Sequence, residues 1–205
     1  MAEEKNKDIE FKLFDLYDVS DIKIKDPALK PFINLEPKLL LKSQGRNIEK
    51  FANTKVNIVE RLANRLAVPG HAGKKHRIIT SWSSGKYNMN MKTVLKVLQL
   101  IQERTKKNPV QVLVDAVNYG SPRDEITVIE SGGARYPQAV DCSPSRRVNL
   151  AIRWFVQGAY GKAFGKKKKI AETLTNEIVM ASENNMESFA AGKRNEAEKQ
   201  ADSAR

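Results

Sequence analysis

The feature that most restricts the fold of this chain is the spacing of its apolar residues. Between residues 53 and 181 they recur mainly at intervals of three and four, as in Val94, Leu98 and Ile101. This spacing is typical of helices that bury one face. Only residues 124–141 change to the alternation expected of strands. The pattern therefore predicts a mainly α-helical chain with one β-hairpin.

Capping residues predict where several helices begin. Asn108 and Ser143 are each followed by a proline, Pro109 and Pro144, and a cap residue followed by proline is typical of a helix start. Asn53 is predicted to cap an earlier helix in the same way, by accepting a bond from a free backbone N–H.

The predicted hairpin has its turn at Gly132 and Gly133. Both glycines can adopt the positive φ that a tight hairpin turn requires. An isolated two-stranded ribbon is only marginally stable in water. A partner outside the protein could supply the support that this hairpin needs.

Length and composition predict one domain with an N-terminal arm. The chain has 205 residues, of which 40% are hydrophobic, enough for one sizeable core but not for two. Residues 1–50 contain Pro27, Pro31 and Pro37 together with charges of both signs, which indicates an extended arm with local packing. Residues 51–205 would then form a bundle of about six helices, from which the hairpin of residues 124–141 protrudes.

The positive charge is segregated along the chain. In total 36 Lys and Arg stand against 24 Asp and Glu, a formal net charge of +12. Residues 41–110 contain 15 basic and 3 acidic residues, and residues 142–169 contain 8 and 0. Such blocks raise the local potential and favour a polyanion, so nucleic acid is the leading partner. The alternative is that each basic block is only a solvated surface and binds no partner. A membrane surface is disfavoured, because no long amphipathic helix sets bulky aromatic residues opposite the lysines.

Basic side chains in these blocks are the predicted RNA contacts. They are Arg61, Arg65, Lys74, Lys75, His76, Arg77, Lys86, Lys92, Arg146, Arg147, Arg153, Lys166, Lys167, Lys168 and Lys169. The four consecutive lysines stand at a helix start, where the macrodipole repels them, which suggests an outside anion. Trp82 and Tyr87 lie among the basic residues of one loop and could either stack on bases or anchor the loop to the core.

No motif for catalysis, a metal or a cofactor is present. The glycine-rich nucleotide loops and the common hydrolase motifs are missing, and His71 and His76 have no carboxylate or thiol at ligand spacing. Cys142 is the single cysteine, which excludes an internal disulfide and fits a reducing compartment. Its place beside the helix cap Ser143 could lower its pKa, but no histidine is near in sequence. We expect no catalytic residue, no metal, no cofactor, no secretion signal and no membrane span.

Two other functions would use the same residues. The helix at residues 143–160 could lie in the major groove of DNA, as in a dimeric regulator. The hairpin and the lack of a compact helix-turn-helix argue against this. An enzyme using Cys142 is a third interpretation, for which no partner residue is apparent.

Several stretches resemble the universal small-subunit ribosomal protein S seven family in its archaeal and eukaryotic form. The resemblance is carried by residues 108–117 (NPVQVLVDAV), 122–125 (PRDE), 138–141 (QAVD) and 143–149 (SPSRRVN). Residues 163–164 and 169–174 continue it. It extends over about residues 50–205, and the run from 108 to 149 is its most specific part.

The resemblance implies a structural role in the ribosome and no enzymatic activity. Proteins of this family are helical with one protruding hairpin, bind the 3′ major domain of the RNA in the head of the small subunit, and nucleate assembly of that domain. It also implies a cytoplasmic location in the ribosome and neighbouring small-subunit proteins as partners, with no membrane and no homo-oligomer.

The same resemblance assigns a role to the hairpin. It implies that the hairpin lies near the path by which messenger RNA leaves and near the transfer RNA of the E site. The match places the tip on Gly132, Gly133, Ala134 and Arg135, and the arginine pair of the following helix on Arg146 and Arg147.

Overall fold

The computed structural model of the protein describes residues 12–38, 48–70 and 84–205. These residues contain six α-helices and one antiparallel hairpin, which confirms the predicted mainly helical fold. In chain order they are α1 (Ile58–Ala67), α2 (Tyr87–Thr105), α3 (Pro109–Gly120), β1 (Asp124–Ser131), β2 (Ala134–Asp141), α4 (Pro144–Ala163), α5 (Ile170–Ser182) and α6 (Phe189–Asp202). Within the described ranges, no helix combines the length and the hydropathy that a bilayer span requires.

Helix α5 lies at the centre of the bundle and packs against α2, α3, α4 and α6. Leu174 and Ile178 of α5 and Phe155 of α4 are fully buried in the shared core. Burial of an apolar side chain of this size contributes about 1.5–3 kcal/mol. The core thus fixes α4, whose outer face carries several of the predicted RNA contacts.

Of the three predicted caps, Asn108 is confirmed, Ser143 makes no side-chain bond, and the cap of α1 lies at another residue. Asn108 caps α3, with its Oδ1 accepting from the Val110 N–H at 3.0 Å. Helix α4 begins at Pro144 as predicted, but the side chain of Ser143 makes no capping bond. The cap of α1 is Asn57, not Asn53, and its Oδ1 accepts from the Val59 N–H at 2.9 Å.

Contacts with the N-terminal segment explain the later start of α1. Asn57 donates its side-chain amide to the Glu36 carbonyl at 2.6 Å, and the Ile58 N–H donates to the Asn34 carbonyl at 3.0 Å. Asn53 instead lies in a short 3₁₀-helix, Ala52–Lys55. A tertiary contact therefore selects between two asparagines that have the same local capping preference.

Residues 12–38 of the predicted arm lie against the helical core. Leu13, Tyr17, Leu29 and Ile33 are buried there. The side chain of Gln111 in α3 also accepts from the Lys23 N–H at 2.8 Å and donates to the Lys23 carbonyl at 3.0 Å. These contacts hold the segment along α1 and α3.

The hairpin is anchored at its base and exposed toward its tip. Gly132 and Gly133 form the predicted turn with φ of 59° and 79°. At the base, Arg205 pairs with Asp124 at 2.6 Å, and α6 packs against β1. The Arg123 N–H also donates to Glu198 of α6 at 3.1 Å. In the distal half, Val128, Ile129 and Tyr136 are exposed.

A buried carboxylate joins α4, α5 and the start of α6. Glu177 is fully buried, and its carboxylate accepts from the Ser188 hydroxyl at 2.7 Å and from the Ala190 N–H at 3.1 Å. It also pairs with Lys162 of α4 at 2.8 Å. Gly158 permits this close packing, because a Cβ there would lie 2.7 Å from the Cβ of Phe189.

We expect Glu177→Ala to lower the free energy of unfolding by about 3 kcal/mol, because buried donors at the start of α6 would lose their acceptor. Urea unfolding followed by circular dichroism measures the change. Glu172→Ala is the matched control, since Glu172 is an exposed acid in the first turn of the same helix, and it should cost less than about 1 kcal/mol. Equal losses in the two variants would contradict this role for Glu177.

Candidate nucleic-acid interface

Helices α1 and α4 lie side by side and enclose a groove. Arg61 of α1 donates to Asn149 Oδ1 of α4 at 2.9 Å, and Tyr160 of α4 donates to the Leu66 carbonyl of α1 at 3.4 Å. Residue numbers rise together in these pairs, so the two helices run in roughly the same direction. Two adjoining clefts of about 340 and 360 Å³ share Arg65 and Asn149 in their linings. We call them together the α1–α4 groove.

Among the residues that the structure describes, the charges lining the groove are all positive. These charged residues are Arg61, Arg65, Arg146 and Arg153, and no acidic residue of the described ranges lines the groove. All four arginines were predicted RNA contacts, and the structure brings them together although they come from two distant parts of the chain.

Arg61 lies at the floor of the groove rather than at the surface. It is 7% exposed and donates to the Phe32 carbonyl at 2.8 Å as well as to Asn149. Burial lowers the pKa of Arg61 to about 10, so the side chain is still charged at neutral pH. Arg61, one of the predicted RNA contacts, thus holds three segments together and leaves a positive charge under the groove.

Arg65 and Arg153 face each other at one end of the groove. Nη2 of Arg65 and Nη2 of Arg153 lie 3.0 and 3.8 Å from the point where a Cβ on Gly70 would stand, so the two nitrogens are no more than about 7 Å apart. Nε of Arg65 is buried without a hydrogen-bond partner. Burial, followed by the charge of Arg153, lowers the pKa of Arg65. Two like charges this close to each other favour an anion between them.

The adjacent arginines of α4 have different environments. Arg146 is exposed and forms a bidentate ion pair with Glu125, in which Nε lies 2.5 Å from Oε1 and Nη2 lies 2.6 Å from Oε2. Arg147 is buried, pairs with Asp26 at 2.9 Å and donates to the Pro122 carbonyl at 3.1 Å. One residue along a helix turns the side chain by about 100°. Arg147, also a predicted RNA contact, therefore faces inward and joins the N-terminal segment to the base of the hairpin.

The other predicted contacts lie apart from the groove or outside the described residues. Lys86, Lys92 and the lysine run Lys166, Lys167, Lys168 and Lys169 are all exposed. The run follows α4, whose 20 residues extend about 30 Å from the groove end that contains Ser143. Arg135 at the hairpin tip pairs with Glu130 at 2.5 Å. Lys74, Lys75, His76 and Arg77 lie outside the described residues, as do His71 and Trp82.

Two groove residues were not predicted from the sequence. Phe51 is 61% exposed and lines the groove, with its ring edge-on to Phe32 at 6.5 Å between centroids. Its φ of 63° is unusual for a bulky residue and costs on the order of 1–3 kcal/mol, and no sequence pattern indicates it. Asn149 could have been found, because Arg146, Asn149 and Arg153 share one face of a helix by spacing.

Comparison with known proteins gives a consistent result over almost the whole chain. The sequence model of a family described as "Ribosomal protein S7p/S5e" matches residues 36–205. The small ribosomal subunit protein uS7 of Nanoarchaeum equitans is 44% identical over 198 residues, which cover 96% of this chain and all of the relative. Those of Archaeoglobus fulgidus and Methanococcus maripaludis are 42% and 43% identical, covering 96% of this chain and 96% and 100% of the relatives.

The chain belongs to the ribosomal protein S7p/S5e family. Membership confirms the resemblance carried by residues 108–149. The S7p/S5e match also begins within the predicted N-terminal arm, at residue 36, where the structure describes contacts with α1.

The structure shows the environments of Tyr87 and Cys142 in this S7p/S5e member. Tyr87 packs against the core and donates to Glu60 Oε1 at 3.2 Å, which favours the anchoring interpretation for this residue.

Cys142 is buried, and burial, with a smaller effect of Glu125, raises its pKa to about 12. The lowered pKa that the neighbouring helix start could have given Cys142 is therefore not found. In the described part of the chain, no cluster of three or more His, Cys, Asp and Glu is arranged to hold a metal ion.

We expect iodoacetamide to modify Cys142 slowly in the folded protein at pH 8, because the thiolate is the reactive form and the folded pKa is about 12. The urea-unfolded chain should react much faster, with a pKa near the free-cysteine value of about 8.5. Mass spectrometry of timed samples measures both rates. Rapid labelling of the folded protein at pH 8 would contradict the buried environment.

Proposed function

We propose that this protein is a structural component of the small ribosomal subunit that binds the 3′ major domain of its RNA, in the head, and nucleates assembly of that domain. The observation that carries the proposal is the α1–α4 groove, which four arginines line in a member of a ribosomal protein family. Its relatives are small-subunit proteins by name, and the chain aligns with nearly their full length.

Phosphate contacts would supply most of the affinity. Arginine guanidinium groups bind phosphate with charge-assisted bonds, and each neutralised phosphate releases condensed counterions. Folded RNA is recognised mainly by shape and backbone rather than by base edges in a duplex. The lysine run begins just beyond the C-terminal end of α4, so the RNA would be held at the groove and again past the end of that helix.

The hairpin would extend from this RNA-bound body toward the mRNA exit path and the E-site tRNA. Gly132, Gly133, Ala134 and Arg135 at its tip would lie nearest to those RNAs. The exposed side chains of Val128, Ile129 and Tyr136 offer apolar contacts to neighbouring small-subunit proteins. The protein would act in this way in cytoplasmic ribosomes.

Affinity for a 3′ major domain RNA fragment should fall steeply with salt, and Arg153→Ala should weaken binding about tenfold at moderate salt. The slope of log affinity against log salt should also decrease by about 0.7–1, because one phosphate contact is lost. Filter binding across a salt series measures both quantities.

Arg104→Ala is the matched control for Arg153→Ala. Arg104 is an exposed arginine in the last turn of α2 that bonds to Asn176 of α5 and does not line the groove. This variant should leave the salt slope nearly unchanged. Binding that is indifferent to salt, or a preference for duplex DNA over the RNA fragment, would refute the proposed function.

Replacing residues 128–137 with a Gly-Gly turn should leave binding to the isolated RNA fragment unchanged, because the groove lies on α1 and α4. In reconstituted small subunits, the same change should reduce cross-linking of the protein to E-site tRNA and mRNA. Loss of RNA-fragment binding with a correctly folded body would show that the hairpin is part of the primary RNA contact.

A further inference from the structure

We propose that the α1–α4 groove holds one unpaired nucleotide of the bound RNA, with its phosphate between Arg65 and Arg153 and its base against the ring of Phe51. This inference rests on the proposed function and specifies the RNA element that the groove would accept. It predicts a bulged or single-stranded nucleotide rather than a continuous duplex.

The Nη2 atoms of the two arginines lie within the reach of one bridging phosphate. Their Nη2 atoms are no more than about 7 Å apart. A phosphate whose oxygens each accept a bond of about 2.8 Å can connect two nitrogens at such a distance. Among the described residues, neither arginine has a carboxylate partner within ion-pair distance, and Nε of Arg65 has no acceptor.

The surroundings of the groove favour an anion at this place. The buried Arg61 bonds to neutral oxygens of Phe32 and Asn149, so its charge adds to the potential from below. Arg146 is engaged with Glu125 and is therefore not included in the phosphate site. An anionic ligand would offset the repulsion between Arg65 and Arg153.

Phe51 supplies the surface for a base. Its ring is 61% exposed, although phenylalanine is normally buried. Phe32 contacts this ring edge-on, with 6.5 Å between the ring centroids. It is held there by a backbone with positive φ, and strained positions of this kind cluster at binding sites. Stacking of a nucleobase on an aromatic ring is a common way to bind unpaired RNA.

The use of the Phe51 ring disfavours a continuous duplex at this position. Phe51, Arg65 and Arg153 line one cleft of about 360 Å³, a size typical of small-ligand sites. Bases inside a duplex are stacked on both faces and cannot meet a protein ring. Only a nucleotide that has left the stack can place its base on Phe51 and its phosphate between the arginines.

The first test compares two short RNA duplexes that differ by one unpaired adenosine. At a fixed salt concentration, the protein should bind the RNA with the unpaired adenosine about tenfold or more tightly, the gain expected from one base–aromatic stack. A fluorescent purine analogue at the unpaired position should change its emission when the unaltered protein binds. If the unaltered protein binds the two duplexes with equal affinity and the emission of the purine analogue does not change, the inference is overturned.

Variants then assign the preference to the groove. Phe51→Ala should remove the preference for the unpaired adenosine, and Phe51→Tyr should retain it because the ring is kept. Phe164→Ala is the matched control, since Phe164 is 63% exposed but does not line the groove. A similar loss of preference in both alanine variants would contradict a specific stack on Phe51.

The outcomes separate this inference from the proposed function. If the protein binds the 3′ major domain fragment with a steep salt dependence but does not distinguish the two duplexes, the inference fails and the proposed function stands. If the domain fragment itself is not bound, both fail. The last outcome compares two competitors of equal charge, an oligoglutamate peptide and free RNA. If both displace the unpaired-adenosine RNA equally well, the groove is a general anion site and the inference is overturned.

Discussion

Arg61 donates hydrogen bonds to the N-terminal segment at Phe32 and to α4 at Asn149 while it is itself part of α1. These bonds fix the distance between α1 and α4, and therefore the width of the groove between them. Since both acceptors are neutral, the side chain remains a source of positive potential under the groove. Removal of such a buried group would leave its acceptors unsatisfied and would also change the electrostatics of the surface.

Arginine has two distinct roles in this chain, and burial separates them. Arg61 and Arg147 are 7% and 8% exposed and join segments that are distant in sequence. Arg65 and Arg153 reach the surface and have no carboxylate partner among the described residues. A basic block in the sequence thus contains both structural and surface charges, and the net charge of the block overstates what a polyanion can contact.

Local patterns predicted the elements well, and tertiary contacts decided what those patterns left open. Asn108 before a proline and two glycines after an alternating run are local signals, and both gave the right element. Asn53 and Asn57 have the same capping preference, and only the contacts of Asn57 and Ile58 with residues 34–36 select between them. The position of Phe51 in the groove depends on a backbone conformation that its residue type disfavours, so the sequence contains no sign of it.

The attachment of the hairpin to α6 has a mechanical consequence. Each strand has eight residues and extends about 27 Å, while its fixed contacts with α6 lie at the base, at Asp124 and Arg123. The base is also paired with α4 through Arg146 and Glu125, so α4 and α6 together set the direction of the hairpin. A tilt of about 5° at the base would displace the tip by about 2 Å. A small shift of α6 would therefore move the tip by almost the length of a hydrogen bond.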